Sequence, residues 1–213
     1  MHKTSELITL SIVAGTKGYE KVVEAFTEAS FNLDFEEISS DFLQFLPQAP
    51  ARVLDAGSGV GQNSAALAKL GHSVVSVEPL NEFLQIAKSK YQGLDITWIN
   101  DSLPRLNKVD VCAGLFDFVL IDGVWHHLSI EERRHCIRRL AEIVNIEGIC
   151  AISLRNGPAG AGTHVFSTCN DELATYANEY GFQIVLLLEN QSSKMQNKPN
   201  VIWSRVALKK VGS

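Results

Sequence analysis

The chain has 213 residues, 46% of them hydrophobic and 20% charged, with a formal net charge of -5. That length suffices for one well-buried domain and falls short of two, and the composition is that of a globular protein. The negative charge, with no lysine- or arginine-dense block, sets aside a dedicated nucleic-acid binder, whose phosphate contacts need a concentrated basic face.

Residues 7–15 read LITLSIVAG behind His2 and Lys3, a loose imitation of a signal peptide. Glu6 at the edge, the lack of a small-x-small cleavage site and a run too short to span a bilayer favour a cytoplasmic chain without a membrane segment. Residues 1–50 predict a helical extension packed on the core. Val22, Val23, Phe26 and Ala29 form one apolar stripe at helical spacing, and Phe35, Ile38, Phe42, Phe45 and Leu46 form another. Pro47 and Pro50 then break the chain, and residues 51–213 form the main domain.

From there strands and helices alternate. Strands are expected at 52–56, 73–77, 96–99, 116–121, 148–154 and 183–188, with 201–208 closing the series. Helices are expected at 62–70, stopped by Gly71, at 81–91, and at 171–180, closed by Gly181. Between them Ser129 and Glu132 make a capping box for a helix whose Ile137, Leu140, Ala141 and Val144 face the core. Strands separated by helices of this length imply right-handed crossovers and a largely parallel sheet, hence an α/β doubly wound domain. Ligands bind such sheets outside the carboxyl ends of the strands. That rule directs attention to Asp55 through Gly61, Glu78, Asp101, Asp122 and Arg155.

Four cysteines, Cys112, Cys136, Cys150 and Cys169, show no C-x-x-C pair and no zinc spacing, as expected of free thiols in a reducing compartment and of a site without metal. The run Asp55-Ala56-Gly57-Ser58-Gly59-Val60-Gly61 joins a strand directly to a helix, and its alternate glycines allow backbone to approach a ligand closely. A dinucleotide fingerprint would want glycine at position 62, which is Gln62, and Asp55 suits an ammonium group better than a pyrophosphate. Glu78, about twenty residues on, can accept both hydroxyls of a ribose, or it is a solvated strand-end acid. Asp101 and Ser102 can address an adenine edge, or they simply mark a turn.

The ordered series DAGSGVG, VEP, NDSLP and FDFVLIDGVWHHL, over about residues 52–128, resembles the class I S-adenosylmethionine-dependent methyltransferases. The resemblance implies a single Rossmann-like domain with a seven-stranded, mostly parallel sheet and an antiparallel last strand. It also implies S-adenosylmethionine as cofactor and S-adenosylhomocysteine as product. By that resemblance Asp55, Gly57 and Gly59 hold the methionine moiety, with Ser58 and Gly61 in the same loop. Glu78 takes the ribose, Leu80 after Pro79 packs on adenine, and Asp101 and Ser102 address its edge. Backbone at Asp122 and Gly123 sits by the methionine portion, and Tyr19 reaches the cofactor from the N-terminal helices.

Methyl transfer by direct displacement depends mostly on alignment, with a general base only where the nucleophile must lose a proton. His126 and His127 are the candidate bases, or they pack beside the cofactor. Arg155 is positioned to grip a substrate carboxylate or phosphate, or to pair with Asp122. Its presence where a metal-dependent relative carries a carboxylate also speaks against magnesium. The three glycines in residues 156–164 suggest a mobile lid. Arg133, Arg134, Arg138 and Arg139 give one helix a basic face, read as a solvated surface or as a place for RNA to dock. The leading expectation is a methyltransferase for a small molecule. Alternatives are one acting on RNA or protein, a non-catalytic S-adenosylmethionine-binding protein and, more distantly, an oxidoreductase. The sequence selects neither the acceptor atom nor an oligomeric state.

Overall fold

The sheet is built from strands that alternate their side chains between two covered faces. Seven strands, β1 (Arg52–Ala56), β2 (Ser73–Val77), β3 (Ile96–Ile99), β4 (Phe116–Ile121), β5 (Val144–Asn156), β6 (Phe182–Ser192) and β7 (Ile202–Lys210), lie in the order β3-β2-β1-β4-β5-β7-β6. The computed structural model describes residues 13–194, 198 and 200–212, so most of the signal-like stretch lies outside it. Strands β1 to β5 are parallel, and β7 runs antiparallel to both β5 and β6. The expected seven-stranded, mostly parallel architecture with an antiparallel last strand is what the chain adopts. Among the described residues no helix is long and apolar enough to cross a membrane.

The period-two pattern fills two cores. Leu54, Val75, Val119, Ile121 and Ile152 face Cys136, Ile137 and Leu140 of α6 (Ile130–Ile143) and Leu173 of α7 (Asn170–Glu179). Val53, Val74, Phe118, Leu120 and Ala151 point the other way, toward Leu67 of α4 (Gln62–Lys69) and Phe42 of the N-terminal region. The central strands are covered on both sides, which is why β4 reads as an almost unbroken apolar run. The N-terminal region consists of 3-10 turns at Ala14–Thr16 and Tyr19–Lys21 and helices α1 (Val23–Phe31), α2 (Phe35–Ile38) and α3 (Ser40–Leu43). The second apolar stripe is therefore two short helices broken at Ser39 rather than one.

Helix α6 opens on the expected capping box. The Ser129 hydroxyl accepts from the Glu132 amide and Glu132 Oε2 accepts from the Ser129 amide at 2.8 Å. At its other end Val144 is not the last core residue of the helix but the first of β5, which begins four residues before Gly148. The sheet tolerates this early start because residues 145–148 bulge. Phe116 pairs with Val144 and Phe118 with Ile149, and Glu147 sits at φ 67°.

Arg133 corrects the expectation of a basic surface. Its spacing places it on the same helix face as Ile137 and Leu140, and it has no solvent exposure. The guanidinium donates to Glu172 Oε2 and to the Ser167 carbonyl, each at 2.9 Å, and to the Trp125 carbonyl at 3.3 Å, tying α6 to α7 and to the segment after β4. Arg133→Ala, which strands Glu172 and the carbonyls of Trp125, Phe166 and Ser167, is expected to lower unfolding free energy by about 3–5 kcal/mol. Exposed Arg138→Ala should stay within about 0.5 kcal/mol, as urea melts of the two variants will show.

Candidate active site

A cavity of about 320 Å³ opens at the carboxyl ends of β1, β2, β4 and β5. Its floor is the turn after β1. Gly57 takes φ 87°, and a Cβ there would lie 2.4 Å from Val124 Cγ2, so only glycine lets this turn pass beneath the segment after β4. The Gly57 and Ser58 amides donate to the Val77 carbonyl at 2.8 and 3.0 Å, which binds the turn to the end of β2.

Glu78 continues that link. One carboxylate oxygen accepts from the Gly59 amide at 2.9 Å and the other from the Leu80 amide at 2.8 Å. The side chain is only 5% exposed, and burial pushes its pKa up to about 8 against the two amide donors, which favour the ionised form. Asp55 lies one layer deeper. Its Oδ2 accepts from Ser64 Oγ at 2.6 Å, Ser64 Oγ lies 2.9 Å from Ser76 Oγ, and Ser76 Oγ lies 2.8 Å from Ser58 Oγ. Each hydroxyl has one proton to give, so a continuous orientation from Ser58 through Ser76 and Ser64 ends on the Asp55 carboxyl. The sheet register makes this possible: Asp55 stands opposite Ser76, so both face α4. Burial lifts Asp55 to about 7, with Ser64 opposing and Asp122 adding to the shift.

The roof is aromatic. Tyr19 packs edge-on to Phe26, whose ring stacks on Phe83 with centroids 4.7 Å apart. His127 Nδ1 lies 2.7 Å from the His164 carbonyl, which can only accept, so Nδ1 carries the proton. The remaining lone pair, on Nε2, then accepts from the Tyr19 hydroxyl at 3.1 Å. Burial depresses the His127 pKa and raises that of Tyr19 to about 12, so both are neutral. Burial, with help from His127, also holds the His126 pKa far below the ordinary imidazole value, and its Nδ1 is buried with no partner. The loop after β5 closes against this roof. The Thr163 amide donates to the Lys17 carbonyl at 2.9 Å, and a Cβ on Gly162 would come within 2.6 Å of both the Tyr19 and His127 rings.

The opposite wall is cationic. Asp122 pairs with Arg205 at 2.8 Å, and Asp41 of α3 receives Lys194 at 3.0 Å. Arg155, 8% exposed, therefore does not pair with Asp122. It donates from Nη2 to the Pro158 carbonyl at 2.7 Å.

Of the residues expected in the site, Tyr19, Gly57, Ser58, Gly59, Glu78 and Pro79 line the cavity, as do Leu80, Ser102, Asp122, Gly123, His126, His127 and Arg155. Three do not. Asp55 sits behind the glycine turn, and Gly61 caps α4 against Trp98. Asp101 spends its carboxylate within its own loop, accepting from the Ser102 amide at 2.8 Å and the Lys108 amide at 2.6 Å. The sequence reading missed Ser64, which bonds Asp55, Ser76, which bonds Ser64 and Ser58, and Arg205, which takes Asp122. It assigned Phe26 to a helix stripe without placing it at a cavity. The alternation that puts Ser76 opposite Asp55 was available as a signal. Nothing local marked Arg205.

Residues 53–148 match the methyltransferase domain family. An uncharacterized methyltransferase of Oceanobacillus iheyensis is 27% identical over 125 residues, 57% of this chain and 55% of that protein. The chain spans about half the length of the curated relatives that it matches. Among solved structures, a 1,6-didemethyltoxoflavin-N1-methyltransferase of Burkholderia thailandensis, with 1,6-didemethyltoxoflavin and S-adenosylhomocysteine bound, superposes with a TM-score of 0.68. It is 18% identical, with 91% of this chain and 86% of that one covered. A TehB-like methyltransferase of Corynebacterium glutamicum reaches 0.65 at 19% identity, with 91% and 97% covered. At these identities the two structures share the fold.

The raised carboxyl pKa values make stability depend on pH. Above about pH 7.5 the depressed histidines are mostly neutral in both folded and unfolded chains, and the acids dominate. Asp55 and Glu78 keep protons in the folded state that the unfolded chain has already released, so stability falls as pH climbs through about 7 and then about 8. Melting temperatures between about pH 7.5 and 8.5 should decline for the wild type and decline less in Glu78→Gln.

Proposed function

We propose that the chain is a class I S-adenosylmethionine-dependent methyltransferase whose cavity binds S-adenosylmethionine and hands its methyl group to a small-molecule acceptor. The observation that carries the reading is Glu78, a buried carboxylate clamped by two amides at the wall of a largely apolar cavity. Its unused lone pairs suit a pair of ribose hydroxyls, and a bound ligand with donor groups offsets the cost of burying it. Gln62 adds a buried, unpartnered Oε1 acceptor on the same cavity. These groups fit an adenosyl ligand with a cationic end.

S-adenosylmethionine supplies a methyl group on a sulfonium, and displacement by a nucleophile leaves S-adenosylhomocysteine. The chain's own residues bind and align. Gly57, Ser58 and Gly59, with Gly61 capping the helix behind them, shape the floor under the methionine portion, and the Asp55 carboxyl supports that floor from behind through Ser64. Asp122 and Gly123 border that portion, Pro79 and Leu80 flank the adenine, and Ser102 lies at its edge. Asp101 shapes the loop carrying Ser102. Tyr19 and the Phe26–Phe83 stack exclude water from above. His127 holds the Tyr19 hydroxyl and has no free lone pair, so its role is positioning. His126 faces the acceptor space as a weak base, which suits an acceptor that needs little deprotonation. Arg155 faces the acceptor, and no step calls for a metal.

A small acceptor is favoured over RNA because residues 156–164 close over the cavity and because Arg133 is buried rather than on a basic surface. The four free cysteines agree with a cytoplasmic setting. Calorimetric titration tests the cofactor assignment. S-adenosylhomocysteine should bind the wild type with micromolar affinity, NADH should not bind, and Glu78→Ala should weaken binding by about 10- to 100-fold, the cost of lost hydrogen bonds to a charged group. Well-folded protein that ignores S-adenosylhomocysteine would remove this reading.

A further inference from the structure

Resting on the methyltransferase reading, we propose that the methyl acceptor is an acid, a small molecule whose carboxylate or phosphate is held by Arg155. Arg155 is 8% exposed as a residue, and burying an arginine is costly unless an anion or a set of acceptors meets its guanidinium. Among the described residues it is met by one backbone carbonyl, Pro158 O. Among the described residues no carboxylate lies within ion-pair distance of it, and the acid at the end of the adjacent strand, Asp122, is taken by Arg205 at 2.8 Å.

The groups around Arg155 do not supply the missing charge. His127 and Tyr19 are neutral and bonded to each other. His126, in the same wall, is neutral, and its buried Nδ1 has no partner among the described residues. The Lys198 ammonium lies near enough for Arg155 to help push its pKa down, behind the larger effect of burial. Positive charge therefore accumulates at this end, whereas the cofactor end holds the Glu78 and deeper Asp55 carboxyl groups. Arg155 and His126 also separate the main cavity from a second one of about 120 Å³, bounded by Asn156, Val165 and Ser167, so the guanidinium meets open space on two sides. A planar fork with free N–H groups in such a place recognises an oxyanion better than a neutral amide or ester.

The test uses the full chain saturated with S-adenosylhomocysteine and three probes of one shape: benzoate, phenyl phosphate and neutral benzamide. Calorimetry and saturation-transfer NMR should show at least one acid binding about 10-fold or more tightly than benzamide. Arg155→Gln should erase that preference and Arg155→Lys should keep part of it, with S-adenosylhomocysteine affinity in both variants within about 3-fold of wild type. The two acids separate a carboxylate site from a phosphate site. Equal binding of benzamide, an acid preference that survives Arg155→Gln, or no binding of either acid to the cofactor-bound protein overturns the inference alone. If the wild type does not bind S-adenosylhomocysteine, the methyltransferase reading fails and the acceptor assignment falls with it.

Discussion

The site depends on one carboxylate held in two directions. Glu78 reaches forward to the Leu80 amide and across to the Gly59 amide, so the end of β2 and the turn after β1 become a single rigid edge. Without that tie the turn is a string of glycines with little to define its path. With it, the amides of Gly57 and Ser58 also find an acceptor in Val77, and α4 starts where the sheet needs it. The same tie buries an acid that water would otherwise solvate. The local structure thus stores an electrostatic deficit that a ligand with hydroxyl and cationic groups relieves.

The rest of the cavity extends that arrangement by sorting charge. Asp55 is supported from behind by the Ser64–Ser76–Ser58 chain, which keeps a buried carboxyl satisfied without exposing it. On the far side Arg205 joins Asp122 and approaches Asp41 at 3.8 Å, while Lys194 completes the pairing with Asp41, so helix α3 is linked to β7 and to the strand end. The N-terminal region is thereby part of the site as well as a cover for the sheet, through Asp41 below and Tyr19 above.

Much of this was legible in the sequence, and the remainder was hidden for identifiable reasons. Strands β1 to β4 begin and end where alternation and turn residues put them, because each is a short apolar run bounded by polar or glycine residues. The motif residues after β1, β2 and β4 converge because parallel strands bring their carboxyl ends together. The start of β5 was missed since α6 runs into it without a breaker and the bulge at 145–148 disguises the alternation. Arg133 was misplaced because a run of arginines reads as surface, although its own spacing matches the core face. Phe26 and the pairings of Asp122 and Arg155 depend on contacts between distant segments. Periodicity identifies an apolar face without saying whether a core or a cavity lies against it.

The account's central claim is that Glu78 receives the ribose of the cofactor, and a structure of the chain crystallised with S-adenosylhomocysteine measures this directly. Both ribose hydroxyl oxygens are expected within about 3 Å of the Glu78 carboxylate, with the adenine beside Leu80 and the amino-acid end over Gly57 and Gly59. A nucleoside bound elsewhere, or a Glu78 carboxylate that touches no ligand atom, would contradict the claim and reassign the cavity.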